Sequence, residues 1–324
     1  MNNKVIPLTF VADLRTRDRS RQQIASDVLS GKQVRVARGV YVPTQVWEGL
    51  RDADRYVAKV HAVARTRQQS PIVSHWSAAA LHALPAVGPW PSALHITVPP
   101  SSGSRSRNQV VRHALPLNDS EIVEISGIRA TSLARTIVDV AALGHFLRAV
   151  VMADYALRES RFNPRGQMCT RAELVAQWER RVRFSGFARA REVIDFAVEQ
   201  SESVLESVSR VNMALAGFPR PRLQAHFSDH RGLIGYSDFY WPEFSLIGEA
   251  DGDQKYLDPA FRSSRTAEEV LLAQAKRENR LRALDLRVCR WDWTTAISSE
   301  LLRDQLRAAG LPAGSRQQIS APIR

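Results

Sequence analysis

The sequence predicts a multidomain chain that combines α+β and α/β parts. It divides into a winged-helix module (1–45), a mixed α/β middle domain (46–145), a helical linker (146–200), an α/β C-terminal domain (201–310) and a flexible tail (311–324). Three observations carry this reading. The chain has 324 residues, a length that suggests two or three domains. A helix-length pattern near the N-terminus runs straight into an alternating hairpin. Near the C-terminus the pattern helix, three strands, helix, strand follows, with acidic residues gathered at the strand ends.

Hydrophobic residues make up 44% of the chain, enough for ordinary packed cores. Two cysteines, Cys169 and Cys289, lie far apart, which argues against a disulfide scaffold or a zinc site. No apolar run approaches the length needed to cross a bilayer, so a cytoplasmic, nucleoid-associated protein with no membrane partner is expected. The formal net charge is +12, and nearly all the cations are arginines, which bind phosphate in bidentate fashion and stack on bases. Such a balance favours DNA as the partner.

The elements follow in order. Leu8–Leu14 carries a weak helical pattern. Ser20 caps a helix over Arg21–Leu29, ended by Ser30-Gly31, with Ile24, Val28 and, less regularly, Ala25 and Leu29 on its buried face. Arg19, Arg21, Gln22 and Gln23 lie at its start, the part of a recognition helix that reads base edges. Gln33–Val42 alternates as a hairpin turning at Arg38-Gly39, a wing whose Arg35 and Arg38 are placed for phosphate contact. Met1–Val40 holds eight Lys/Arg against three Asp.

A helix spans Asp52–Arg67. Ser74 caps a second that stops before Pro85. Leu94–Val98 and Val110–His113 read as strands separated by a polar loop, and Glu121–Ile125 as another, followed by a turn at Gly127. Thr131 or Ser132 begins a helix over Leu133–Leu143, in which Arg135 and Asp139, one turn apart, can pair. His61, His75, His82, His95 and His113 match no zinc spacing and are read as packed or surface side chains. Phe146–Ser203 is helical, broken at Asn163–Gly166 and around Ser185-Gly186, and its Arg180–Arg183 run is read as a solvated face.

The last domain opens with a helix over Ser203–Ala216, ended by Gly217. Leu223–Phe227 and Leu233–Tyr240 form a hairpin, and Phe244–Asp251 a third strand. Alternation places Phe244, Leu246, Gly248 and Ala250 on one face and Ser245, Ile247, Glu249 and Asp251 on the other. Pro242 fits the connection, where no ladder N–H is needed. Asp238, Glu249 and Asp251 thus converge at strand ends, and converging carboxylates are costly unless a cation neutralises them. Hard oxygen ligands suit Mg²⁺ with substrate phosphate. A loop with Lys255 follows, then a helix from Thr266 to about Leu284 containing Lys276, and a last strand over Leu286–Trp291.

Two resemblances follow. Asp238-Phe239-Tyr240-Trp241-Pro242-Glu243 with Glu249-Ala250-Asp251-Gly252, in that order of elements over Ser201–Trp293, resembles the PD-(D/E)xK nuclease core and, within it, the very-short-patch-repair (Vsr-like) endonuclease branch. That resemblance implies an endonuclease-like fold in which Asp238, Glu249, Asp251 and Glu206 of the Ser203–Ser207 string hold Mg²⁺ or Mn²⁺. The usual lysine two residues after the glutamate is replaced by Asp251, and Lys255 or Lys276 would take its place. Separately, the strings RVARGVYV (from Arg35), SHWSAAALHAL (from Ser74), LHITVP (from Leu94) and TSLARTIVDVA (from Thr131) resemble the AbiEi-type antitoxin family over Ser20–Leu143. This implies a DNA-binding N-terminal part that represses its own operon and a nucleotidyltransferase-like toxin as partner. Two functions stand side by side: a Mg²⁺-dependent DNA endonuclease, and a non-catalytic antitoxin or autorepressor on a degenerate nuclease fold.

Overall fold

The computed structural model describes residues 6–16, 21–67, 71–103, 105–106, 109–159, 166–181, 184–251 and 267–314. Arg19, Ser20, Arg107, Asn163–Arg165, Val182, Arg183, Lys255, Thr266 and the tail from 315 onwards lie outside the described residues. The first elements are β1 (Thr9–Phe10), α1 (Arg21–Leu29), β2 (Gln33–Ala37), β3 (Val40–Pro43), α2 (Thr44–Glu48) and α3 (Asp52–Arg65). Then come β4 (Ile72–Val73), α4 (His75–Leu81), β5 (Leu94–Val98), β6 (Val110–Ala114), β7 (Ile122–Ile125), β8 (Ile128–Thr131) and α5 (Leu133–Ala142). A helical stretch follows, α6 (Phe146–Leu157), α7 (Arg171–Glu179), α8 (Phe187–Phe196) and α9 (Val204–Leu215). The last elements are β9 (Arg222–Asp229), β10 (Gly232–Trp241), β11 (Leu246–Ala250), α10 (Ala267–Arg282), β12 (Arg287–Trp291), α11 (Trp293–Ile297) and α12 (Ser299–Ala308). The chain is a mixed α/β, multidomain protein with twelve α-helices and three sheets among the described residues. Its contacts divide it into two compact units, Met1–Leu143 with Ala172–Ala190, and Gly144–Arg171 with Arg191–Arg324.

In the first unit a small sheet of order β1-β3-β2 carries the N-terminal hairpin. Leu8–Leu14 is helical only in its second half, as part of a 3-10 helix over Val11–Thr16. Thr9–Phe10 pairs with Val40–Tyr41 and a 3-10 turn follows, because pairing buries Phe10 against Val40 and Ala62, which a short amphipathic turn could not match. Among the described side chains of α1 only Ile24 is fully buried. Ala25 is exposed and Leu29 is 91% exposed, so the expected buried face narrows to Ile24 and Val28 where α1 meets β2. A five-stranded sheet of order β6-β5-β4-β8-β7 forms the centre, with α3 and α4 packed on it and α5 against α4. Its core includes Tyr56, Val60, Val73, Leu94, Ile96, Val110 and Ile128. The extra strand β8 joins β7 through Ser126 (φ 50) and Gly127 (φ 76), the two left-handed positions of a type I′ hairpin turn.

Ser132 caps α5 by accepting the Arg135 N–H. Arg135 Nε donates to Asp139 Oδ2 at 2.9 Å, as the one-turn spacing predicts, and Arg135 Nη1 donates to Glu121 Oε1 at 2.9 Å. Arg181 Nη1 closes on Asp139 Oδ1 at 2.7 Å. The Arg180–Arg183 run is therefore not a solvated face at Arg181, whose side chain is only 10% exposed. A buried carboxylate needs that cation.

In the second unit a four-stranded sheet of order β12-β11-β10-β9 is antiparallel except for the parallel β11–β12 pair. Helix α9 packs on β11 and is itself surrounded by α6, α11 and α12, while α10 packs on β10 and β12. Pro242 starts a 3-10 turn over Pro242–Phe244 and Ser245 takes a left-handed φ of 45, so β11 starts at Leu246 and Phe244 stays outside the strand. Proline's fixed φ and missing N–H favour that turn over a ladder position. The α6–α9 contact holds a buried ion pair, Arg210 Nη2 to both oxygens of Asp154 at 2.8 and 3.0 Å. Arg280 ties α10 to the β9–β10 hairpin through both oxygens of Asp229, at 2.6 and 2.8 Å.

Candidate functional site

Strand alternation sorts the side chains of β10 and β11. Gly248 lies against Trp241 and Trp291, and Trp291 in turn bonds Ser209 of α9 through Nε1 at 2.8 Å. On the other face Ile247 and Tyr240 pack with Leu281 of α10. Glu249 shares the Ile247 face, and Asp238 shares that of Tyr240. The antiparallel register pairs Phe239 with Gly248. One step further, Asp238 stands opposite Glu249, close enough that the Ala250 N–H donates to Asp238 Oδ2 at 2.8 Å. The parallel register pairs Glu249 with Arg290 of β12. The result is a charged row across the sheet, Asp238, Glu249, Arg290, at the end where β11 leaves the ladder as Asp251.

Two arginines answer these carboxylates. Arg277 Nη2 donates to Glu249 Oε1 at 2.9 Å and to the Tyr236 carbonyl at 2.6 Å. Gly235, with φ 142, makes room for it, since a β-carbon there would lie 3.1 Å from Arg277 Nε. Arg290 Nη1 donates to Asp251 Oδ2 at 2.7 Å, and its Nε lies 3.6 Å from Glu278 Oε2. Burial pulls the Arg290 pKa down, but the Asp251, Glu249 and Glu278 carboxylates outweigh it and the net shift is upward.

Glu206 sits in the first turn of α9 and is buried. Its Oε2 accepts the Glu202 N–H at 2.9 Å and Gln224 Nε2 at 3.1 Å. Gln224 lies on β9 between the two residues that pair with Ser237 and Phe239, so it links Glu206 to the strand next to Asp238. Lys276 is exposed, while its neighbour Arg277 lies on the Leu281 stripe of α10, one turn away. Helical phase thus turns the arginine, not the lysine, toward the acids. Arg277, Arg290, Glu278 and Gln224 were not singled out from sequence. The i,i+4 relation of Arg277 to the apolar Leu281 and the alternation of Arg290 with Trp291 are the signals that point to two of them.

Among the described residues no group of three or more His, Cys, Asp or Glu side chains is arranged to hold a metal. The Asp238–Glu249 pair, hard oxygens on adjacent strands, suits the mode in which Mg²⁺ takes one or two carboxylates together with substrate phosphate.

In the first unit Gln22 and Gln23 of α1 and Arg35 and Arg38 of the hairpin are exposed. The side chain of Arg21 lies outside the description. A cavity of about 590 Å³ beside the hairpin is lined by Val36, Arg38, Tyr56, Lys59, Arg67 and Gln109 among others, and every charged residue lining it is a cation. Three of the five histidines come together. His75 and His113 stack with ring centroids 3.5 Å apart, and His95 Nδ1 lies 3.0 Å from His113 Nε2. Ser74 precedes α4 as expected, but its hydroxyl engages His75 Nδ1 at 2.9 Å and no backbone N–H of the helix. Burial, then the neighbouring imidazoles and Arg135 and Arg181, push the His75 pKa well below its usual value, and burial takes His95 and His113 down to about 4.

No family model matches the chain. It is 32% identical over 244 residues to Uncharacterized protein Rv2248 of Mycobacterium tuberculosis (strain ATCC 25618 / H37Rv), covering 74% of this chain and 82% of the relative. The same figures hold for Uncharacterized protein MT2308 of Mycobacterium tuberculosis (strain CDC 1551 / Oshkosh). At that identity and coverage, the chain belongs to the same protein family as these two mycobacterial proteins.

Proposed function

We propose that this is a DNA-binding protein whose second unit is a Mg²⁺-dependent endonuclease domain of the PD-(D/E)xK, Vsr-like kind. The observation that carries the reading is the cross-strand Asp238–Glu249 pair, set at the end of the β10–β11 ladder beneath a basic helix. The order of elements, α9, β9, β10, β11, α10, β12, with helices on both faces of the sheet, supports it. Asp238 and Glu249 would hold Mg²⁺, with Asp251 beside them and Glu206 reached through Gln224. Bound there, the ion would polarise a scissile phosphate and lower the pKa of its water. Asp238 is oriented by the Ala250 N–H, and Arg277 holds Glu249 in place. The test is cleavage of supercoiled, linear and mismatched DNA in a Mg²⁺ titration. Wild type should nick or cut, and Asp238→Ala with Glu249→Ala should abolish cleavage while DNA binding survives. Identical behaviour of wild type and double mutant on every substrate would sink the reading.

One observation favours a second reading. Arg277 and Arg290 already neutralise Glu249 and Asp251, as they would in a retained fold that no longer cuts. The protein would then be a non-catalytic AbiEi-like antitoxin and autorepressor with a nucleotidyltransferase-like toxin as partner. It should bind its own promoter through the N-terminal helix and wing. Arg35→Ala with Arg38→Ala should reduce the slope of log affinity against log salt by about 0.9 for each phosphate that is no longer neutralised. An unchanged slope would remove the wing from the interface.

A further inference from the structure

We propose that Arg290 is the phosphate-binding group of the acidic row, filling the role that a lysine two residues after Glu249 would otherwise have. The inference rests on the reading of that row as a phosphodiester site. Its support is geometric. Position 251, where the lysine would stand, is an aspartate, and Asp251 Oδ2 accepts from Arg290 Nη1 at 2.7 Å. The residue that displaces the lysine therefore holds another cation in the same place.

Arg290 also lies directly beside Glu249 in the parallel ladder. Its guanidinium is fixed on three sides, by the strand, by Asp251 and by Glu278 at 3.6 Å. Among the described residues only Nη1 donates a hydrogen bond. Among the same residues Nη2 and Nε are buried without a hydrogen-bond partner, Nε facing Glu278 Oε2 beyond hydrogen-bond range. Buried donors left unmade are costly, and two donors on one edge of a guanidinium fit two oxygens of one phosphate.

Arg277 does not offer this. Its Nη2 is shared between the Tyr236 carbonyl and Glu249. It serves as a positioning residue for Glu249. Lys276, on the exposed side of α10, is turned away.

The test is calorimetric titration of the full chain, in EDTA at low salt, with thymidine 3′,5′-bisphosphate and, separately, with inorganic phosphate. Wild type should bind with one site per chain. Arg290→Gln should weaken binding at least tenfold, and Arg290→Lys, which keeps the charge opposite Asp251 but loses the fork, should fall between. Arg280→Gln, on the same helix as Arg277 but paired with Asp229, should bind as wild type. Thermal melts followed by circular dichroism show that each variant is folded, and Arg290→Lys carries the test if Arg290→Gln does not fold. Tighter binding of the nucleoside bisphosphate than of inorganic phosphate identifies a nucleic-acid phosphate, and equal binding a free phosphate. Either supports the assignment.

Binding unchanged in Arg290→Gln and Arg290→Lys overturns it. So does loss of binding in Lys59→Gln with Arg67→Gln, which would move the site to the cation-lined cavity of the first unit. So does no binding by wild type. Phosphate binding without any DNA cleavage in Mg²⁺ sinks the nuclease reading alone and leaves this one standing.

Discussion

Gly248 and Gly235 sit on β11 and β10 where any side chain would displace a neighbour, for two different reasons. At Gly248 a β-carbon would come 2.6 Å from Trp291 Cη2 and 3.0 Å from Trp241 Cζ3. Both rings are buried and Trp291 is held by its bond to Ser209, so neither can give. Gly248→Ala should cost about 1–3 kcal/mol, as overpacking in a tight core does, measured as a lower urea midpoint. At Gly235 the obstacle is the backbone, since φ 142 strains any side chain, and the nearest atom belongs to the flexible Arg277. Gly235→Ala should cost a comparable 1–3 kcal/mol, roughly the strain of such a backbone region. It should also loosen Arg277 from Glu249, seen as a loss of any Mg²⁺-dependent activity. Arg135 illustrates the opposite case. It is fully buried between Glu121 and Asp139, and Arg135→Leu would leave two carboxylates facing one remaining cation. About 3–5 kcal/mol of lost stability is expected.

Three elements have to meet before the histidines of the first unit matter. His75 opens α4, His95 lies on β5 and His113 on β6. Each is neutral in the folded chain at neutral pH, with a folded pKa below the unfolded value near 6.5. As pH falls from about 6.5 to about 4, the unfolded chain binds protons that the folded chain refuses, and stability is lost through that window. The limit is about 1.4 kcal/mol per pH unit for each histidine, reduced for the partly solvated His95 and His113. The urea midpoint should therefore fall between about pH 7.5 and about pH 4.5, and His113→Gln should shrink that fall. An unchanged difference would exclude these histidines as its source. Spacing in sequence gave no hint of this cluster, because β5 and β6 lie side by side in the sheet but are joined through a polar loop. By contrast, the strand β5, the hairpin β2–β3 and the Arg135–Asp139 pair were legible, since each depends on neighbours within a few residues. Thr9–Phe10 was misread for the complementary reason: its partner, Val40–Tyr41, is thirty residues away.

At the scale of the whole molecule the chain forms two compact units, the first with two sheets and the second with one, and each with a buried ion pair. Heat or denaturant should then produce more than one transition, with Arg135→Leu lowering one and Gly248→Ala another. A single transition shifted by both would show one cooperative unit. No helix among the described residues is long and apolar enough to cross a membrane. The mixed α/β class and the order of elements from Ser203 to Trp291 were determined by the sequence alone, as was the placing of Glu249 and Asp251 where the third strand ends. Alternation and turn chemistry act over short range, and a strand's faces follow from its own residues. What only the tertiary structure decided is which cations meet those acids. Arg277 arrives from a helix and Arg290 from a parallel strand some forty residues beyond Glu249. Helical phase, the notch at Gly235 and the β11–β12 register choose them over Lys276, and none of these is a local property of the chain.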